Sequence, residues 1–138
     1  MVVLERYISP YDGKSIVLGV YSTIEIANNA KQLYIAKCKN IDKWSEQSYR
    51  TVNLDVDVSI EDISDILVFH EGLSNGIIYL INSVDEGFGQ IGSRIIKAFF
   101  TESEAKEYVI EMEKQEKEYE PSWYEIEIKT LDSFDFED

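Results

Sequence analysis

One pattern occurs twice in this chain of 138 residues, and it restricts the folds open to it more than any other feature. Two apolar stretches are followed by a hydroxyl residue with glutamate three places on, then by a helical stripe, then by a third, alternating stretch. In the first copy Val2 to Tyr7 leads into Ser9-Pro10-Tyr11-Asp12-Gly13, and in the second Ile77 to Ile81 leads into Ser83-Val84-Asp85-Glu86-Gly87. Ile16 to Ser22 then aligns with Ile95 to Thr101. Ser22 with Glu25, and Thr101 with Glu104, have the spacing of a capping box, in which side chains satisfy the free backbone donors of a helix start.

The first helix is predicted from Thr23 to Lys39, where Ala27, Ala30, Tyr34 and Cys38 share one buried stripe. In the second, Ala105, Tyr108, Val109 and Met112 make the stripe, and Glu107, Glu111, Lys114 and Glu118 face water. The third strands are predicted where Val52, Leu54 and Val56 alternate with polar residues, and where Tyr124, Ile126 and Ile128 do the same. The expected organisation is a first repeat over 1–58, a linker over 59–76, a second repeat over 77–131 and a loose acidic tail over 132–138. Ile60, Ile63, Ile66 and Leu67 favour a short helix in the linker, although Ile66 to Phe69 also suits a strand before the Ser74-Asn75-Gly76 turn. The fold class that follows is α+β: duplicated strand–strand–helix–strand units building an antiparallel sheet with the helices on one face, related by a pseudo-twofold.

Val20-Tyr21-Ser22-Thr23-Ile24-Glu25-Ile26-Ala27 resembles the helix start of small uncharacterised bacterial and phage domains with this strand and helix order. That resemblance covers about half of each copy and implies no activity. Small α+β chains without a catalytic constellation also look like immunity proteins of bacterial toxin systems, which implies a protein partner.

Motifs for chemistry are sparse. Gly87-Phe88-Gly89-Gln90-Ile91-Gly92 has the spacing of a dinucleotide loop, but that loop must lead a strand into a helix. Here Ser93 to Phe100 reads as a strand, and Asp85 and Glu86 would repel phosphate, so a hairpin loop is expected, with Phe88 exposed for recognition, and no cofactor. His70 and Cys38 are the only residues of their kinds, too few for a zinc site, and Cys38 falls on the buried stripe. Asp55 and Asp57 lack the tight glycine turn of a calcium loop, so no metal is expected. No catalytic residue is assigned and the chain is not expected to be an enzyme. A single cysteine fits a reducing cytoplasm, and no run reaches the roughly 20 apolar residues of a membrane span.

Charge is what remains, and it is lopsided. Residues 1–58 carry 7 Lys/Arg and 7 Asp/Glu, whereas 59–138 carry 6 and 20, so the whole net charge of −14 lies in the second half. Such a field repels nucleic acid and anionic membrane and attracts basic partners. The expected function is therefore an acidic protein-binding inhibitor that occludes a basic partner, foremost an immunity protein against a toxin nuclease. A phage-encoded nucleic-acid mimic against restriction or CRISPR nucleases is the second reading. A small ligand-binding domain or enzyme using the cleft between the repeats is the third. The expected partner-binding residues are Glu104, Glu107, Glu111, Glu118, Trp123, Glu125, Glu127 and Phe88, aromatic anchors within an acidic field. Tyr21, Trp44, Tyr49 and Arg50 in the neutral half are an alternative surface for a homodimer.

Overall fold

Val2–Ser9 (β1) and Lys14–Tyr21 (β2) form an antiparallel hairpin, and Ile24–Ile41 (α1) follows at once. After a helical turn, Leu54–Asp57 (α2), come Val58–Asp62 (β3), the short Leu67–Val68 (β4), the hairpin Ile77–Gly87 (β5) and Gln90–Phe99 (β6), Glu102–Lys114 (α3) and Trp123–Thr130 (β7). This computed structural model describes residues 1–9, 14–41, 54–68, 76–87, 90–115 and 123–136. The strands make two sheets, ordered β2-β1-β3 and β4-β6-β5-β7, antiparallel except where β4 lies parallel to β6.

Alternation along the strands sets the layers. Val2, Leu4, Leu18 and Tyr21 turn outward from the first sheet onto the α1 stripe of Ala27, Ala30, Tyr34 and Cys38. Val3 and Val20 turn the other way and meet Ile78, Leu80 and Ala98 of the second sheet. On the far side of that sheet Tyr79, Ile81 and Phe99 pack under Ala105 of α3. The α+β class therefore holds, but the arrangement is helix, sheet, sheet, helix, with two sheets face to face and one helix on each outer side. A single sheet with both helices on one face would have left Val3 and Val20 in water, whereas both are fully buried.

Three local expectations change as well. The third strand of the first half is Val58–Asp62, paired with β1 from Val2↔Asp62 to Arg6↔Val58, while Leu54–Asp57 is helical. The apolar alternation runs unbroken from Val52 through Leu54, Val56, Val58 and Ile60, so period alone cannot say which part pairs. Within the linker, strand replaces the expected helix at 59–62. A turn at Ile63–Ile66, closed by Ile66 N–H to Ile63 C=O at 3.1 Å, hands the chain to β4 in the second sheet.

The helix starts differ by one residue. Thr101 caps α3 as expected, accepting from Glu104 N–H at 3.3 Å and donating to Glu104 Oε1 at 2.8 Å. At α1 the cap is Thr23, whose Oγ1 accepts from Ile26 N–H at 3.2 Å. Ser22 is taken by Asp132, which accepts from both its N–H and its hydroxyl at 2.8 Å. With Thr23 set against Thr101, Ala27 falls opposite Ala105, and both are fully buried. Each hairpin carries a bulge on its second strand, Leu18 between Gly19 and Val17, and Ile96 between Lys97 and Ile95, and the first has a further register shift between Tyr7 and Ser9.

Residues 131–136 are a strap and not a loose tail. Leu131 bridges Val20, Asp132 N–H bonds Val20 C=O at 2.8 Å, and Tyr21 OH donates to Ser133 C=O at 2.8 Å. Phe134 lies against Tyr21 and Phe136 against Tyr34, with ring centres 6.0 and 5.3 Å apart. Tyr21 is wholly buried by this arrangement, so it contributes nothing to a dimer surface, and Trp44, Tyr49 and Arg50 lie outside the described residues. Burial, with the Asp132 charge second, pushes the Tyr21 phenol up to about 12.

The strap depends on Gly19. Its Cα faces the Tyr21 ring so closely that an added Cβ would lie 2.7 Å from Tyr21 Cζ. Gly19→Ala is expected to displace the ring and cost about 1–3 kcal/mol in urea unfolding. Tyr21→Phe, which loses only the bond to Ser133, is expected to cost about 1 kcal/mol. Parent-like stability of Gly19→Ala would show that the ring tolerates the methyl group.

Candidate functional site

β2 and β7 are the outer strands of their sheets, and they meet at one corner. There Val20 and Leu131 form an isolated parallel bridge. Behind the bridge the two strands enclose a groove of about 540 Å³, walled by Ile16–Gly19 on one side and Glu127–Thr130 on the other, with Ser133 and Asp135 of the strap at its end. Local sequence explains the shape: the Leu18 bulge bends β2, and Asp132, with φ 58°, turns the chain out of β7 and across β2.

The polar groups at this groove are unevenly compensated. Glu127 and Lys129 sit two apart on the β7 face that turns toward the first sheet, with Lys129 Nζ 3.9 Å from Glu127 Oε1. Burial raises the Glu127 pKa above its ordinary 4.5; Lys129 opposes the rise and Glu125 adds to it. Glu5, on the inward face of β1, is raised by burial first, then by the charges of Glu61 and Glu127. Carboxylates of β3 and β7 thus act on the half-buried Glu5 of β1. Among the described residues no group of three or more His, Cys, Asp or Glu is placed to hold a metal ion.

The structure divides the residues expected to bind a partner. Trp123, Glu125 and Glu127 lie in line on the inward face of β7, with Trp123 Nε1 donating to Glu125 Oε1 at 2.8 Å. Tyr124 and Ile126 point the opposite way, under α3. Glu107 and Glu111 are exposed on α3, on the other side of the sheet from the Trp123 row. Glu104 is engaged in the helix cap. Glu118 and Phe88 lie outside the described residues. The described members of the set do not form one continuous face: Glu107 and Glu111 lie on one side of the sheet, and Trp123, Glu125 and Glu127 on the other.

Sequence reasoning missed the β2 wall, Glu5 and Asp135. An acid between Leu4 and Arg6 in an otherwise apolar strand was a visible signal at Glu5, but the groove itself arises from two strands more than a hundred residues apart. It also set Ile128 in one alternating row with Tyr124 and Ile126, yet that residue, outboard of Tyr79 at the sheet edge, is 59% exposed while Glu127 is half-buried.

Among the described residues no helix is long and apolar enough to cross a membrane. Comparison of the chain with family models, curated proteins and solved structures finds no match.

The carboxyl pKa values predict a pH response. Glu5 and Glu127 hold their protons more tightly in the folded chain than in the unfolded one, where the value is near 4.5. Their contribution to stability is fully present below that pH and is lost as pH rises through the higher folded values. Glu5→Gln is therefore expected to match the parent below pH 4.5 and to exceed it at pH 7, measured by urea midpoints across that range. A variant less stable than the parent at pH 7 would mean that the Glu5 charge is held favourably.

Proposed function

We propose that the protein is an acidic binding inhibitor that occludes a basic protein partner, most economically an immunity protein acting in the cytoplasm against a nuclease toxin. The observation that carries this reading is the placement of 20 acidic against 6 basic residues in 59–138. The row of Trp123, Glu125 and Glu127 on an outer strand supports it by setting an aromatic anchor among carboxylates. Glu107 and Glu111, exposed on α3, serve in steering and not in docking. We also propose that the two halves are copies of one ancestral unit around a pseudo-twofold. The matching strand orders, the bulges at Leu18 and Ile96 and the buried Ala27 and Ala105 support that reading.

The test is capture of a partner by tagged protein from lysate, washed at about 0.15 M and about 1 M salt, where the screening length falls from about 8 to about 3 Å. One stoichiometric basic protein is expected at the lower salt. With that partner purified, Glu107→Lys/Glu111→Lys is expected to slow association roughly tenfold at low salt while leaving dissociation nearly unchanged. Capture of nothing, or only of acidic proteins, would overturn the reading.

A further inference from the structure

We propose that the groove between β2 and β7 receives an extended, cationic segment of the partner, which adds as a strand between the two open edges and sets a Lys or Arg side chain against Glu127 and Asp135. This inference rests on the protein-binding reading above and names how the partner is held.

Four observations support it. Both walls are outer strands, and where they enclose the groove neither has a partner strand on that side among the described residues. The bridge between Val20 and Leu131 shows that the two edges run parallel, so an incoming strand has the same direction relative to both and can pair with each. Four residues on each wall, at about 3.3 Å per residue, give roughly 13 Å of edge, enough for about four residues of guest. The exposed Ile16 supplies apolar contact, and Lys129 is the single basic side chain among the lining residues, against Glu127 and Asp135.

Charge also selects among occupants. A second copy pairing through β7 would bring its own Glu125 and Glu127 row against this one, and like charges across neighbouring strands are destabilising. An acidic guest meets the same repulsion. A cationic guest meets Glu127 and Asp135 in the groove lining, and beside Glu127 it offsets the charge that acts on Glu5 before anything binds.

The experiment uses the full chain as bait for a displayed library of random octapeptides, followed by binding assays on synthetic copies of the enriched sequences. Enrichment of peptides in which Lys or Arg alternates with β-branched residues is expected. Their amide shift changes should centre on Ile16–Gly19 and Glu127–Thr130. N-methylation of alternate backbone amides should abolish binding, because strand addition uses those donors. Glu127→Lys should weaken Kd at least tenfold, and the milder Glu127→Gln, which keeps the side-chain shape, should weaken it measurably with an unfolding midpoint at pH 7 no lower than the parent's.

No enrichment, enrichment without excess basic residues, tolerance of N-methylation, or parent-like binding by both Glu127 variants would overturn the proposal. The two readings also fail separately. A basic partner from lysate that binds Glu127→Lys as well as it binds the parent overturns the groove while the inhibitor reading stands. Cationic peptides that bind as described, with no basic partner in lysate, uphold the groove and overturn the inhibitor reading.

Discussion

The contact between the inner faces of the two sheets is what the rest of this molecule depends on. Val3 and Val20 on one side, and Ile78, Leu80 and Ala98 on the other, are all removed from water. They are small or compactly branched, which lets two twisted sheets approach at the usual spacing of about 10 Å. Each sheet alone would have one face under a helix and the other apolar and wet, at roughly 25 cal/mol for each Å² of apolar surface left in water. Ile63, in the turn that carries the chain from the first sheet to the second, completes the same cluster. The connection is thus part of the core and not a spacer between independent units.

How the sheets part is as important as how they join. Their apolar contact gives way to the half-buried Glu5 and Glu127, whose burial, with the charges of Glu61 and Glu127 acting on Glu5, disfavours closer approach. At the neighbouring corner the strap ties β2 to the end of β7. A hydrophobic centre, an acidic margin and one tied corner together define a groove whose walls are backbone as much as side chain. Specificity there would come from charge and from strand geometry.

Elements built from short-range signals were legible in the sequence. The α1 stripe of Ala27, Ala30, Tyr34 and Cys38 is buried throughout, because helical periodicity is a local property. The Thr101 cap was visible for the same reason. The Thr23 cap was not, since what moves it is Asp132, a residue 110 positions away that occupies Ser22. The strand at Val58–Asp62 was misplaced because a period-2 pattern carries no mark of where pairing begins. Layering was illegible because a strand apolar on both faces, as Val2-Val3-Leu4 is, does not state what covers each face. The acidic half was plain in composition, yet the fold places its members on opposite sides of one sheet and brings Asp132 across onto Ser22 of the neutral half.

The strap carries a consequence for synthesis. Ser22, Tyr21 and Val20 emerge early from the ribosome, but the groups that bond them, Asp132 and Ser133, follow some 110 residues later. Until then the first hairpin and α1 hold a sheet whose inner face awaits β5 and β6, and a helix whose entry is not yet anchored. Closure of so long a loop is slow compared with local folding, and the waiting surface is the kind that attracts other nascent chains. The order of the chain therefore makes the final strap the event that seals a structure already assembled, so that premature termination just before it would yield a product with every strand in hand and its first half unsealed.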